Sequence, residues 1–291
     1  MAELETILFE VDNGVAWVTL NRPEVHNAFN ATMQREMRTV WRWLRRDESA
    51  RVVVLTAAGE RSFSSGVDRD EVLGGNKTVN TVEGVDLGTG PDPAAGPEPI
   101  HIGSDDTSPF MFDDPSEQLG PKSNDMWKPV VAAVNGMACG GAFYMLGEAD
   151  IIIAADHATF FDPHVTFGMP AGYEPLHMLP RMPFGEIVRM TLLGNSERMS
   201  AARAHQIGLV SEVCPLSELR DRAAWVAGEI AKAPTLAVQG TLRALWSGLE
   251  LSRSQALSMG WAYVNLGWDQ KLIDEAQARI AAGERTKPHI R

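Results

Sequence analysis

Two stretches of this chain run from an apolar segment into a cluster of small residues, a pattern that leaves backbone N–H groups free for chemistry. In the first, Val52–Leu55 leads to Arg61-Ser62-Phe63-Ser64-Ser65-Gly66-Val67-Asp68. In the second, Val130–Val134 leads through Asn135-Gly136 to Gly140-Gly141 and then to the apolar segment Ala142–Leu146. A strand that passes through a glycine turn into a helix start exposes unpaired N–H groups at the turn. Such groups can hold an anion or a developing oxyanion. Two such turns could aim one N–H each at a single oxygen, although each alone is also a common structural unit. Cys139 beside the second turn is a conceivable nucleophile, but no histidine stands near it in sequence to activate it. Neither Cys139 nor Cys214 belongs to a C-x-x-C pair or a Cys/His ligand cluster. Both read as small, reduced core residues.

The elements that must position these turns follow from periodicity and punctuation. Leu4–Glu10 and Val15–Leu20 flank Asp12-Asn13-Gly14 and read as a hairpin. Asn30 or Thr32 can cap a helix to about Arg46, with Met33, Met37, Val40, Trp41 and Leu44 on its apolar face. Arg51–Thr56, Val130–Val134 and Ile151–Ala154 read as buried strands. Gly74–Asp125 repeats Gly, Pro, Asp and Ser with weak helical periodicity. Yet Ile100-His101-Ile102 and Pro109-Phe110-Met111-Phe112 are too apolar for a plain linker, which suggests a partly ordered lid. Pro183–Leu193 reads as a helix, and Ser200 caps a short one, Ala201–Ile207, that Gly208 ends. Leu209–Val213 reads as a strand, and four helices follow, over Leu216–Lys232, Pro234–Leu249, Ser252–Leu266 and Lys271–Ala282. Strands alternating with helices, then a helical tail, predict an α/β core with a helical C-terminal region.

The chain has 291 residues, a 44% hydrophobic fraction and a net charge of -12. That is ample for a sizeable core, and the acidic balance argues against a nucleic-acid partner. An anionic substrate would need a local basic patch against the overall field. Glu3, Glu5 and Glu10 suit neither a secretory leader nor a transit peptide, and no apolar run reaches the roughly 20 residues of a membrane span. The expected location is cytoplasmic.

Taken together, the two turns resemble the crotonase (enoyl-CoA hydratase/isomerase) family. The resemblance extends to Val18-Thr19-Leu20-Asn21-Arg22-Pro23 with Asn27-Ala28, to Leu192-Leu193-Gly194, and to Ser200-Ala201, Ala204 and Gly208-Leu209-Val210. It implies a crotonase-like (ClpP/crotonase) fold of repeated ββα units, with roughly perpendicular sheets. The implied organisation is a core over about 1–210, with an inserted loop at about 74–125, and a helical trimerisation region over about 211–291. Trimers, often paired into hexamers, are the implied assembly. Trp246, Trp261, Tyr263 and Trp268 in that region suit an interface or an internal core.

The resemblance also implies an acyl-CoA thioester substrate, no separate cofactor, and two backbone N–H groups that hold the thioester oxygen as it gains enolate charge. The matching positions are Val67 and Gly141. Family hydratases typically add two glutamates, and this chain has neither. Tyr144 stands three residues past Gly141, where the first would be, and His164 in Phe161-Asp162-Pro163-His164 takes the place of the second. Histidine suits proton transfer near neutral pH, and Asp162 could orient it or cap the loop backbone. Tyr144 could donate a hydrogen bond or act as a weak acid. Glu174 falls in a loop that passes the acyl group in relatives, where a desolvated carboxylate could serve as the missing base. Glu148, one helical turn beyond Tyr144, reads as a helix-surface or salt-bridge residue, and His177 as structural.

For the CoA moiety, Arg22, the Pro23–His26 loop and Ala28 match a region that meets phosphates and adenine in relatives. Many relatives carry a lysine near Glu24 or Val25, which this chain lacks, leaving His26 as a weak substitute. Ser64, Ser65 and Asp68 flank the expected adenine pocket. Arg285, Lys287 and Arg291 could reach a neighbouring subunit's CoA or form a solvated basic tail. His157, Asp162 and His164 show no recognisable metal-ligand spacing. The leading expectation is an enoyl-CoA hydratase/isomerase family enzyme with altered acid and base groups. Isomerisation, or hydrolysis of a carbon–carbon or thioester bond, would use the same oxyanion site, and some relatives that cleave β-dicarbonyl compounds place a histidine in this loop. The other class is an acyl-CoA binder that has lost catalysis.

Overall fold

The computed structural model describes residues 4–69, 115–283 and 287–290. Most of the expected lid, through residue 114, lies outside the described residues, as do Arg285 and Arg291. The chain divides into two compact units, Met1–Gly228 and Glu229–Arg291.

The first unit is built on a six-stranded sheet in the order β1 (Ile7–Asp12), β2 (Val15–Leu20), β3 (Val52–Ala57), β5 (Val130–Val134), β7 (Ile151–Ala155) and β10 (Glu212–Cys214). β1 and β2 pair antiparallel across the Asn13-Gly14 turn, and every other neighbouring pair is parallel. Parallel strands are buried on both faces, so they read as continuous Val, Ile and Leu runs instead of alternating. One face of β2, β3 and β5 packs in a core with the helix α1 (Ala31–Leu44), whose Met33, Met37, Val40, Trp41 and Leu44 are fully buried. Each such side chain contributes about 1.5–3 kcal/mol of burial. The Asn30 side chain accepts the Met33 N–H at 2.9 Å and so caps α1.

Three strands of the large sheet each run directly into a strand of a second sheet, ordered β4 (Ser62–Ser64), β6 (Met137–Cys139), β8 (Thr159–Phe161) and β9 (Met199–Ser200). β3 feeds β4, β5 feeds β6 and β7 feeds β8, which gives the repeated two-strand units. α3 (Ala142–Glu148) starts immediately after the β6 turn, and α4 (Tyr173–Met178) and α5 (Phe184–Leu193) follow β8. A short helix, α2 (Ser116–Leu119), precedes β5, and α6 (Ala201–Gln206) and α7 (Leu216–Ala231) flank β10.

Two strand boundaries differ from the sequence reading. β1 starts at Ile7 because the Glu36 carboxylate takes the N–H groups of Glu5 and Thr6, removing them from the ladder. The strand expected over Leu209–Val213 is confined to Glu212–Cys214. The N–H groups of Leu209 and Val210 instead satisfy the Ala204 carbonyl at the end of α6.

Glu148 also departs from expectation, since it is buried. Its Oε2 accepts the N–H groups of Lys122 and Ser123 at 2.6 and 2.9 Å, and the Ser123 hydroxyl donates to Oε1. Lys122 Nζ lies 2.9 Å from Asp150 Oδ2. Burial pushes the Glu148 pKa up, against the pull of Ser123 and His177. The carboxylate thus pins the Gly120–Ser123 segment onto the end of α3.

In the second unit, α8 (Thr235–Glu250) packs on α9 (Arg253–Leu266), with Ser247 Oγ 2.8 Å from Tyr263 Oη. Ser252 and Gln255 form a capping box at the start of α9, and α10 (Gln270–Ala281) follows. Trp261 and Trp268 are exposed on this single chain. Among the described residues, no helix is long and apolar enough to cross a membrane.

A methyl group at Gly120 would meet the Glu148 carboxylate, which three donors hold in place. Gly120→Ala is therefore expected to lower unfolding free energy by about 1–3 kcal/mol in urea denaturation. Wild-type stability would mean that this carboxylate yields freely.

Candidate active site

The first turn is held by a dense set of short-range bonds. The Asn27 side chain donates to the Ala58 and Ser62 carbonyls and accepts the Arg22 N–H. Ser62 Oγ donates to the His26 carbonyl and Ser64 Oγ to the Asn27 carbonyl, while the Ser65 N–H also reaches the His26 carbonyl. Arg22 donates to the Ala28 carbonyl at 2.7 Å and pairs with Asp68 at 2.8 Å. Phe29 and Val67 form an isolated parallel bridge, in which the Phe29 N–H reaches the Gly66 carbonyl and the Asp68 N–H the Phe29 carbonyl. Val67 thus lies in a segment clamped on both sides.

The second turn abuts the first. Gly66 has φ +86°, and a Cβ there would lie 3.0 Å from the Gly141 nitrogen. A Cβ at Gly141 would lie 2.6 Å from the Phe29 ring, so neither position has room for a side chain. Among the described residues, neither the Val67 N–H nor the Gly141 N–H donates to a protein acceptor. Two unspent amide donors therefore stand on adjoining turns.

Four side chains converge beside them. His164 opens a short 3-10 turn after β8, and its ring lies against Gly140 and Pro163. Its Nδ1 is 2.7 Å from Asp162 Oδ1, which also accepts the His164 backbone N–H at 3.0 Å. On the other side of the ring, Nε2 is 3.5 Å from Glu174 Oε1. Tyr144 donates its hydroxyl to the same Oε1 at 2.8 Å. Asp162 is fully buried and Glu174 nearly so. Phe29 and His177 flank the Tyr144 ring, with centroids at 6.3 and 5.5 Å. The hydrogen bond from Asp162, aided by the charges of Glu174 and Asp162, holds the His164 pKa above the usual histidine value against the opposing effect of burial.

The structure therefore gathers Tyr144, His164 and Glu174 into one cluster, in which Tyr144 is hydrogen-bonded to Glu174 and His164 Nε2 stands 3.5 Å from the same oxygen, while Asp162 both caps the loop and meets the ring. The residues matched to the CoA region serve here as stitching. The Arg22 guanidinium is engaged by Asp68 and Ala28, and the Ser64 hydroxyl is buried and bonded. Sequence reasoning assigned no task to Asn27 or Phe29, whose contribution lies in contacts that residue type does not announce. Cys139 donates to the Ser65 carbonyl, and burial pushes its thiol up to about 12, which disfavours the thiolate that a nucleophile needs. Asp162, His164 and Glu174 bring ligand-capable atoms within 4.8 Å of one another. Their carboxylates meet opposite nitrogens of the ring, Asp162 at Nδ1 and Glu174 at Nε2.

Two backbone N–H groups on adjoining turns thus stand near an imidazole set between two carboxylates. The family model described as Enoyl-CoA hydratase/isomerase matches residues 10–86 and 111–275, and the chain belongs to that family. It is 32% identical to (E)-benzylidenesuccinyl-CoA hydratase of Thauera aromatica over 98% of both chains. It is 33% identical to 1,2-epoxyphenylacetyl-CoA isomerase of Escherichia coli over 80% of this chain and 78% of that one. An enoyl-CoA hydratase/isomerase structure from Mycobacterium paratuberculosis, 29% identical, superposes with a TM-score of 0.79 over 99% of this chain and 100% of that one. The fold is the crotonase fold, and the protein is an enzyme of this family.

The raised His164 pKa has a definite sign. Its contribution to stability is complete below the unfolded value of about 6.5 and is lost as pH rises through the higher folded value. Ring titration by NMR is expected to give a midpoint above about 6.5, with unfolding free energy falling as pH rises through that window. A midpoint at or below that value would contradict the arrangement.

Proposed function

We propose that the protein hydrates a 2-enoyl-CoA thioester, with His164 and Glu174 replacing the two glutamates of family hydratases. The observation that carries the reading is the 3.5 Å approach of Glu174 Oε1 to His164 Nε2, beside two unspent amide donors. The Val67 and Gly141 N–H groups receive the thioester oxygen. Fixed donors of this kind are worth about 3 kcal/mol each as charge develops. The Glu174 carboxylate takes a proton from water, and the water oxygen adds to C3. The electron pair of the double bond moves onto the thioester oxygen as enolate. The His164 imidazolium then delivers its proton to C2, the enolate collapses, and a proton passing from Glu174 to Nε2 resets the pair. Tyr144 holds the carboxylate through its 2.8 Å hydrogen bond.

An aryl-derived acyl group fits this reading, because the two relatives named above are a benzylidenesuccinyl-CoA hydratase and an epoxyphenylacetyl-CoA isomerase. The engaged state of Arg22 leaves CoA recognition to backbone groups around Ser64–Asp68. The exposed Leu257, Trp261, Leu266 and Trp268 support a trimer-based assembly through the second unit. The Asp162–His164 pair favours one second reading, a hydrolase that cleaves a carbon–carbon bond beside the same enolate site.

Turnover of crotonyl-CoA and cinnamoyl-CoA by the purified protein is the test. Glu174→Gln and His164→Ala are expected to lower kcat about 10²–10⁴-fold while calorimetric binding of the thioester persists. Unchanged turnover in both variants would remove the proposed acid and base. Thioester binding without any turnover by the wild type would favour the hydrolase or an acyl-CoA binder.

A further inference from the structure

We infer that Asp162 is a positioning residue that fixes the tautomer and direction of the His164 ring, in addition to capping the loop. The inference deepens the proposed function and rests on His164 being the proton donor. Its geometry is independent of any substrate. Asp162 is fully buried at the end of β8, and one oxygen, Oδ1, accepts both the His164 N–H and Nδ1–H at 3.0 and 2.7 Å. The backbone bond is a local turn that Ser, Asn or Asp can each make. The ring bond is different, because only a side chain long enough to reach past the turn meets Nδ1. With Nδ1–H committed to Asp162, Nε2 is the nitrogen left to exchange protons, and it is the one that faces Glu174.

The second oxygen strengthens the case. Among the described residues, the buried Asp162 Oδ2 has no hydrogen-bond partner. A loop cap alone needs one acceptor and no buried charge, and burying an uncompensated carboxylate oxygen is costly. A nearby cation that the carboxylate stabilises is the compensation the site supplies, in the form of the His164 imidazolium. The other charged or titratable groups around the pair are Glu174 on α4 and Tyr144 on α3, which meets it through Glu174. Cys139 on β6 senses the Asp162 charge, and the Arg198 guanidinium sits 4.3 Å over the Phe161 ring. None of these donates to Oδ2.

Two substitutions separate the roles. Asp162→Ser keeps a backbone cap but cannot reach the ring, and Asp162→Asn keeps the size while removing the charge. Both proteins, with isotope-labelled histidine, would be compared with the wild type by ring NMR and by crotonyl-CoA kinetics, with His164→Gln assigning the signals. In the wild type the neutral ring is expected to carry its proton on Nδ1. In both variants the ring midpoint should fall to about 6.5 or below. Their kcat should drop about 10²–10⁴-fold with KM within about three-fold. A wild-type ring protonated on Nε2 when neutral would overturn the inference, whether or not either variant folds. So would wild-type midpoint and kcat in Asp162→Ser, which would leave Asp162 a cap. If the wild type turns over no acyl-CoA, the proposed function fails, and the NMR comparison still decides the role of Asp162.

Discussion

The parallel pairing of β3 with β5 is the constraint on which the site depends. Parallel neighbours leave the sheet at the same edge, so the segments that follow them emerge side by side. Val53, Val54 and Leu55 register against Val130, Val131 and Ala132, and Ser62 and Ser64 then register against Met137 and Ala138. The Gly66 and Gly141 turns meet because β3 and β5 pair in parallel, with one extra residue between Ser62 and Ser64 taken up as an irregularity in the β4–β6 ladder. A one-residue slip would reverse the facing of every side chain and separate the turns. The lack of side chains at the junction is a steric consequence, given the 3.0 Å approach from Gly66 to the Gly141 nitrogen. Parallel β7 against β5 then places β8 beside β6, which brings Asp162 and His164 alongside Gly140.

On this frame the proposed function has the carboxylate supplied from a different element. α3 carries Tyr144 at the position the resemblance gives to a glutamate, and α4 brings the Glu174 carboxylate to the Tyr144 hydroxyl. The phenol does not fill the vacated role by itself. Its 2.8 Å bond to Glu174 Oε1 positions a carboxylate whose backbone lies 30 residues away. Glu148 is closer along the helix, but its oxygens are spent on Lys122 and Ser123, so it serves the fold.

Much of this was legible in the sequence, and the rest was not for specific reasons. Continuous apolar runs announced β3, β5 and β7, because burial on both faces leaves no alternation to misread. Met33, Met37, Val40, Trp41 and Leu44 announced the buried face of α1 by their spacing. The two- and three-residue strands of the small sheet are too short to carry a period, and β4, β6, β8 and β9 were therefore invisible. Leu209 and Val210 were read as strand because an apolar pair looks alike in a ladder and in a helix end. The resemblance pointed to Val67, Gly141, Tyr144, His164 and Glu174, but no local pattern could say that the last three touch. Their contacts span 10 and 30 residues of sequence and depend on where α4 returns. Asp162 was the hardest to assign, because residue type left two tasks open, orienting His164 or capping the loop backbone. The 3-10 turn at His164 folds the ring back onto its neighbour but one.

The charges at the site form a balanced set. In the proposed hydration Glu174 is protonated as the enolate forms, so the new negative charge faces one remaining anion, Asp162, in a mostly buried pocket. Neutralising either carboxylate would lose the base or the ring orientation. The arrangement keeps both and inserts one cation, the His164 imidazolium, between them. Each carboxylate favours that cation, so the ring stays protonated to a higher pH than an exposed histidine would. When the proton leaves for carbon, the ring becomes neutral as the enolate charge disappears. The net charge of the pocket is then the same before and after that step. In the proposed cycle the proton on Glu174 passes to Nε2, which stands 3.5 Å from Oε1, and the starting balance is restored.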